Sequence, residues 1–598
     1  MPAECRVPAE CRVPAECRVP SAECRGLHLL RRFGSCFGRL DIAAEQEPGT
    51  NKVGTRHSAL GTSPALGTSS ALGTPPALGT PPALGTADLL LPLVFVSGFT
   101  SLAVELAGSR LLAPYFGTSL YIWAVLVGLV LLYLTAGYFI GGRWADRHPS
   151  ARVLFQITAW AAFATGVIPV VARPILSFSS IGFANLDAGL FLGSLFGVVL
   201  LFAVPITLLG CVSPFAIRLA MGDVGHAGNV AGRIYALSTL GSILGTVVPV
   251  FVLIPAIGTP RTLYVLSLAL LGLSVIGLWR FRSWYFWLLL PVACLAVLPE
   301  AVLRPPSFGR LIYATESAYY YIQVVQQDTP TGPQNNLILD EGHAIHSIYN
   351  PGQLTTGGPW DYFMVAPLFN RGFRPDQVHS AALVGLAAGT IARDLTSVYG
   401  PIPIDGVEID PKIIEVGRRF FDMNEPNLNA IAQDGRYYIT TTPKRYDIIG
   451  IDAYRQPYIP FHLTTREFFQ QVRDHLTPNG VAVLNAGRTE TDYRLVDVVA
   501  STMKAVFPNV FVIDLPAPQI NSIIVGTNSA AELSSFAANA GQLSDPTLRQ
   551  VAETALRSGR VREVTADPTV FTDDWAPVEK VIDEIVLGYV RANNGEIR

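Results

Sequence analysis

The sequence predicts a multi-span α-helical membrane region followed by an α/β, Rossmann-like domain with a small N-terminal β-subdomain. Three observations carry that prediction. Half of the 598 residues are hydrophobic, only 15% are charged, and the mean hydropathy is +0.37, as in chains with a large membrane part. Seven long apolar stretches fall between residues 89 and 303. Beyond residue 307 the composition changes, and from about 380 short β-branched runs alternate with helical patterns. The net charge of −3 and a pI near 6.3 offer no basic surface for nucleic acid.

Residues 1–87 are expected to be disordered. PAECRV is written three times from Pro2, a variant copy follows at Pro20–Gly26, and ALGT recurs every six residues from Ala59 to Ala83. Units this short build no solenoid, and their small and polar residues cannot bury a core. Five of the seven cysteines (Cys5, Cys11, Cys17, Cys24, Cys36) lie here. Cys211 and Cys294 lie in apolar stretches, and the C-terminal third has none, so neither a disulfide nor a thiolate metal site is expected there. A long polar repeat before the first apolar run is not the pattern of a secretory leader.

The membrane region is placed at 88–304, with spans near 89–109, 119–141, 153–174, 188–210, 235–257, 262–279 and 284–303. Packed membrane helices tolerate Pro205, Pro214 and Pro249, and Gly128, Gly137, Gly141 and Gly142 permit close helix approach. Arg143, Arg147 and Arg152 follow span two, Arg218 and Arg233 span four, and Arg280 and Arg282 span six. The positive-inside tendency puts these loops in the cytoplasm and the C-terminal part across the membrane. A site for a cytosolic small molecule belongs inside, so the chain is expected to be a multi-pass protein of the cell membrane with a cytoplasmic catalytic part. Glu105 and Arg110 read first as an ion pair about one turn apart, or as groups reaching the interface. The second reading is an intramembrane functional carboxylate. GGRWADR (141–147) is similar to the charged loop between the second and third helices of major-facilitator transporters.

The β-subdomain is placed at 305–350. There YYYIQVVQQD (319–328) and NNLILDEG (336–343) read as strands around a turn with Thr331, Gly332 and Pro333. WDYFMVAPLF (360–369) has helical spacing. A catalytic domain at 351–530 follows, with strands near 380–386, 403–408, 427–432, 446–451, 480–485, 509–514 and 521–526. Its helices fall near 389–399, 411–421, 465–476 and 492–507, and a C-terminal extension covers 531–598. This alternation predicts a parallel sheet with helices on both faces, whose ligand lies beyond the carboxyl ends of the strands.

Candidate site residues fall at those ends. Gly385 and Gly389, in LVGLAAGT (383–390), close the first strand and open a helix, bringing backbone and free N–H groups to a ligand. Glu408, in VEID (407–410), ends the second strand 23 positions after Gly385, where a carboxylate takes both hydroxyls of a ribose. Asp434 and Gly435, in QDGR (433–436), follow the third, where an acid can accept from an adenine amino group. Asp452, in YDIIGIDAY (446–454), ends the fourth beside the expected reaction centre. The plainer role for each carboxylate is a helix N-cap, and that is the role expected of Asp410 before Pro411.

At these residues the chain resembles the spermidine synthase family of polyamine aminopropyltransferases, over roughly 310–530. It resembles in particular the variant fused to a multi-span, major-facilitator-like region; FHLTTREFF (461–469) and TDDWAPVE (572–579) look like that variant. The resemblance implies a class I methyltransferase-type sheet behind a small β-domain. It implies an adenosyl-sulfonium co-substrate, decarboxylated S-adenosylmethionine or S-adenosylmethionine itself, and no metal. Carried over by position, Glu408 holds the donor ribose and Asp434 contacts adenine. Asp452 orients and deprotonates the attacking amine, and Tyr362 helps place substrate, with His346, Tyr454 and Arg455 around it. The sequence departs from the family where Ala388, Met364 and Arg455 replace acids and His346 replaces a glutamine.

The resemblance and the departures leave three functions open. The first is membrane-anchored transfer of an aminopropyl or related group to an amine. The second is methyl transfer from S-adenosylmethionine, favoured by Ala388 and by Arg455 as a partner for the methionine carboxylate. The third is a transporter with a nucleoside-sensing C-terminal domain, supported by Glu105 and the 141–147 loop. The expected partners are the lipid bilayer and a small-molecule amine, without nucleic acid; homo-oligomerisation stays open.

Overall fold

The computed structural model describes residues 86–592 apart from 118, 183–188, 222–225, 282–283, 299–301, 341–343, 456–457, 558–560 and 566–567. The repeats of residues 1–85, with the disorder expected of them, lie outside the described residues.

Helices α1 (Thr86–Phe116), α2 (Leu120–Arg147), α3 (Ala151–Gly182), α4 (Gly189–Gly210), α5 (Val212–Ala220), α6 (Ala227–Val248), α7 (Ile254–Leu278) and α8 (Leu289–Val297) share one apolar core. Among the described residues, five stretches are long and apolar enough to cross a membrane: Asp88–Phe116, Tyr121–Arg147, Ala151–Ser180, Phe191–Ala220 and Ala227–Leu278. The seven expected spans differ for two reasons. Spans five and six form one 52-residue apolar run, because the chain passes through a π-turn at Pro249–Leu253 and bends at Gly258 (φ 80°) without a polar loop. The last apolar helix is short, Trp284–Val297. The bundle's outer surface is apolar, with Leu131, Phe139, Val204, Phe251 and Trp279 each more than half exposed.

Small residues bring the helices together, as their sequence positions suggest. A Cβ at Gly241 or Gly245 of α6 would lie 2.2 Å from the carbonyl oxygens of Phe95 and Phe99 on α1, so only glycine admits this approach. A Cβ at Gly137 would lie 2.3 Å from the Thr207 carbonyl oxygen and one at Gly141 2.6 Å from Cys211 Cα, whereas Gly128 faces open space.

The bundle has two distinct ends. At one, Arg218 pairs with Asp146 at 3.4 Å and Arg152 lies over the Phe281 ring. The other, about 42 Å away along the 28-residue α2, carries the α/β part of the chain. There Tyr115 Oη donates to the carbonyl of Leu303 at 2.7 Å, and Thr259 donates its N–H and hydroxyl to Glu316 at 2.6 Å each. The arginine-bearing loops therefore sit away from the α/β part of the chain. Arg110 does not pair with Glu105. Five residues apart, the two occupy different faces of α1, and Arg110 donates instead to the carbonyls of Tyr319 (2.8 Å) and Ala318.

Strands β1 (Arg310–Glu316), β2 (Tyr321–Thr329), β3 (Gly332–Leu339) and β4 (Ile345–Tyr349) form an antiparallel sheet in chain order. The segment 359–369, expected to be helical, makes two short 3₁₀ turns, Pro359–Phe363 and Ala366–Phe369. Pro367 has no N–H to continue a helix begun at Pro359.

The larger sheet holds β5 (Ala381–Val384), β6 (Ile404–Glu408), β7 (Leu428–Ala432), β8 (Tyr446–Ile451), β9 (Leu476–Gly487), β10 (Asn509–Asp514), β11 (Asn521–Thr527) and β12 (Val561–Glu563). Their order is β12-β10-β11-β9-β8-β5-β6-β7. The accompanying helices are α9 (Thr390–Tyr399), α10 (Pro411–Phe420), α11 (Gly435–Thr441), α12 (Arg466–Asp474), α13 (Arg494–Lys504), α14 (Leu533–Ala540), α15 (Pro546–Arg557) and α16 (Val578–Ala592). Ile322, Val324, Leu337 and Leu339 of the small sheet share a core with Ile413 and Val416 of α10.

Strands β5 to β9 are parallel, as expected. Strands β10 to β12 are not: β11 pairs antiparallel with both β9 and β10, and β12 antiparallel with β10. Residues 515–520 are too few for a crossover, so β10 and β11 must form a hairpin. The chain lays β6 and β7 on one side of β5 and then returns to lay β8 on the other. That reversal opens a crevice at the carboxyl ends of β5 and β8.

Candidate active site

The parallel register brings the ends of β5 to β9 to one edge. Val384 aligns with Val407 and Ile451, Glu408 with Ala432, and Ile451 with Leu484. Gly385, Glu408, Asp434 and Asp452 therefore gather around the crevice. Gly385 adopts φ +90°, and a Cβ there would lie 2.5 Å from the carbonyl oxygen of Asp452 and 2.6 Å from the nitrogen of Ala453. Only glycine lets β5 turn this close to β8. Gly389 opens α9, and Gly435 fits α11 against Val384 of β5.

Asp452 is half-buried, and both its oxygens are oriented. Asn485 Nδ2, from β9, donates to Oδ1 at 2.9 Å, and Trp360 Nε1 donates to Oδ2 at 2.9 Å. Burial pushes its carboxyl up to about 7, against the lowering effect of those two donors. Trp360 is presented by a tight turn: Asp361 accepts from Thr356 N–H and hydroxyl (2.9 and 2.7 Å) and from Gly357 N–H (2.8 Å). Tyr362 follows on the same turn, buried, with its phenol pushed up to about 12 chiefly by that burial.

Glu408 is buried and accepts from the N–H groups of Ala387 (2.9 Å) and Asp410 (3.1 Å), one on each oxygen. Burial raises its carboxyl to about 7, and those N–H groups oppose the rise. Each oxygen keeps a second acceptor position, as a pair of vicinal hydroxyls needs. Asp410 caps α10 by accepting from Lys412 N–H at 2.9 Å, the expected role. Asp434 caps α11 by accepting from Tyr437 N–H at 2.9 Å; its other oxygen lies 3.7 Å from His462 Nε2 on the rim.

The remaining expected residues take distinct places. Tyr454 Oη donates to the carbonyl of Asn485 and accepts from Gly487 N–H, both at 3.0 Å, bracing β8 against β9. His346 lies on β4, beside the Ser347 that accepts from Ala388 N–H. Its Nε2 is buried without a hydrogen-bond partner among the described residues, and burial lowers the ring to about 4, so it is neutral. Arg455 is exposed, and its charge lowers the carboxyl of Asp340, which burial raises to about 6. Ala388 and Met364 are buried in apolar cores and bring no charge to the crevice.

Sequence reasoning missed Trp360, Asn485 and Tyr320, whose Oη donates to the carbonyl of Tyr454 at 3.4 Å. Asn485 was within reach, since it ends an expected strand at the edge where ligands bind. Trp360 and Tyr320 lie in segments read as a helix (360–369) and a strand (319–328), but the structure puts them on a 3₁₀ turn and just before β2. Among the described residues no group of three or more His, Cys, Asp or Glu side chains is arranged to hold a metal.

Residues 375–537 match the spermine/spermidine synthase domain. A probable polyamine aminopropyl transferase of Bifidobacterium longum is 30% identical over 296 residues, 46% of this chain and 64% of the relative's length. The polyamine aminopropyltransferase of Vibrio vulnificus is 31% identical over 242 residues, 39% of this chain and 78% of that protein. This chain belongs to the polyamine aminopropyltransferase family. A crystal structure of spermidine synthase in complex with the transition-state analogue AdoDATO aligns at 17% identity and a TM-score of 0.33, covering 42% of this chain and 83% of that one. The family domain thus takes in Gly385, Glu408, Asp434 and Asp452, while Trp360, Tyr362 and the small sheet lie before it.

Proposed function

We propose that the chain is a membrane-anchored transferase that moves an aminopropyl or related group from an adenosyl-sulfonium donor to an amine. The observation that carries this reading is the Asp452 carboxylate, fixed by Trp360 and Asn485 at the crevice beside Gly385 and across from Glu408. Glu408 holds the donor ribose and Asp434 lies on the adenine side. The acceptor nitrogen attacks the carbon bonded to the sulfonium, the carbon–sulfur bond breaks, and methylthioadenosine leaves with the electron pair. Asp452 takes the proton that the nitrogen sheds. A cationic donor in the crevice favours the ionised form of both raised carboxyls, and holding the reactants in line lowers the barrier further.

Purified full-length protein in detergent, given decarboxylated S-adenosylmethionine and putrescine, is expected to yield spermidine and methylthioadenosine. Intact donor binding with no transfer to any of a panel of amines would sink the reading. Ala388 and the exposed Arg455 favour a second reading, methyl transfer from S-adenosylmethionine. It gains if calorimetry shows S-adenosylmethionine binding more tightly than its decarboxylated form.

The apolar outer surface of the bundle supports anchoring in the cell membrane. The chain is expected to sediment with membranes, resist alkaline carbonate and be released by detergent; release by carbonate would count against a spanning bundle. We place the catalytic part on the cytoplasmic side, where its donor is supplied.

A further inference from the structure

We propose that Arg110, on the bundle helix α1, is a positioning residue for the donor site, acting through the segment 316–320. This inference rests on Glu408 holding the donor. The segment is fastened to the bundle at two points. Arg110 donates to the carbonyls of Tyr319 (2.8 Å) and Ala318, and Thr259 of α7 donates twice to Glu316 at 2.6 Å. The same segment touches the crevice at two further points. Ser317 Oγ donates to Asp410, whose N–H donates to Glu408 at 3.1 Å. Tyr320 Oη donates to the carbonyl of Tyr454, two residues beyond Asp452, at 3.4 Å.

The turn is stiff. Ser317 Oγ accepts from the N–H groups of Tyr319 and Tyr320 at 3.0 and 2.9 Å, so its ends move together. Two adjacent peptide carbonyls on one guanidinium use the planar fork of arginine, which the single ammonium of lysine does not reproduce. The route from Arg110 to Glu408 runs by hydrogen bonds to the carbonyls of 318 and 319, along the backbone to Ser317, and by hydrogen bonds from Ser317 to Asp410 and from Asp410 N–H to Glu408. Arg110 touches neither reactant. Its effect falls on donor affinity, because the route through Ser317 and Asp410 ends on the carboxylate that binds the donor, whereas the longer Tyr320 contact meets a backbone carbonyl two residues beyond Asp452 and not its carboxylate.

The test is a double-mutant cycle on the full chain in detergent micelles, with Arg110→Ala, Ser317→Ala and the pair, read as donor KM, kcat and methylthioadenosine affinity. Arg110→Ala is expected to raise donor KM about tenfold with kcat changed less than about threefold, and Ser317→Ala to do the same. The double variant is expected to match the single ones, because both cut one route. Arg110→Lys should recover only part of the loss. An unchanged donor KM in Arg110→Ala, or single effects that multiply in the double variant, overturns the proposal. If Arg110→Ala fails to fold, Arg110→Lys and Ser317→Ala complete the cycle. Glu408→Gln separates the two levels: wild-type donor affinity in that variant defeats the reading of the site itself, while weakened affinity there with normal affinity in the Arg110 variants defeats only this inference.

Discussion

Asp452→Asn is expected to lower turnover by about 10²–10⁴-fold while leaving donor affinity within a few-fold of wild type. The amide keeps the shape, but its one oxygen can accept from only one of Trp360 and Asn485 while its NH2 faces the other donor, and it accepts no proton. The pH profile gives the sharper reading. Burial raises the Asp452 and Glu408 carboxyls to about 7, so both are protonated at lower pH in the free enzyme. A base works only when ionised, so kcat/KM in the wild type rises as pH increases through about 7. In the Asn variant the rise that survives belongs to Glu408 and donor binding. A residual kcat that still climbs with pH through 7 would show that another group takes the proton.

Gly385→Ala is the second large effect. The residue sits at φ +90°, and its new Cβ would lie 2.5 Å from the Asp452 carbonyl oxygen. The strained backbone alone costs about 1–3 kcal/mol, and the contact adds to it by forcing β8 away from β5. Activity is expected to fall at least about 100-fold, because a shift of 1 Å in a reacting group is enough to cost that much. Gly372→Ala is the control, since that glycine has φ +65° and open space around its would-be Cβ. It should lower the melting temperature without touching kcat. Equal losses of activity in the two variants would mean that the β5–β8 approach has no catalytic importance.

Much of the catalytic part was legible because its signals are local. Each strand from β5 to β11 announces itself as an apolar run, and four of them end in a glycine or carboxylate that the structure places at the crevice. The direction of β10 and β11 was not read from apolarity, although the short link between them decides it. Asp434 shows the limit of reading a carboxylate from its place in the chain: the N-cap and the rim position use different oxygens of one side chain. Trp360 lay two residues before an expected site tyrosine and still went unnoticed, because the helical spacing of 360–369 marks apolar packing and says nothing of where an indole N–H on a 3₁₀ turn is aimed. The pairing of Arg110 with the carbonyls of residues 318 and 319 joins positions more than 200 residues apart. A neighbouring acid in the same helix was the nearer but wrong partner, since helix geometry separates residues five apart.

The edge strand β12 has a bearing on how the protein is made. Strand β10 pairs with β11 on one side and with β12 on the other, and β12 lies at Val561–Glu563, well after β10 at Asn509–Asp514. At ribosomal speeds of about 5–20 residues per second, β10 waits several seconds with one row of peptide groups unpaired. An open edge is a template for another chain. The helices of the bundle, which precede it in the chain, have already left the ribosome by then. Shortening the chain before residue 561 would make the open edge permanent, and the cost would show as aggregation in the cell before any defect in chemistry could be measured.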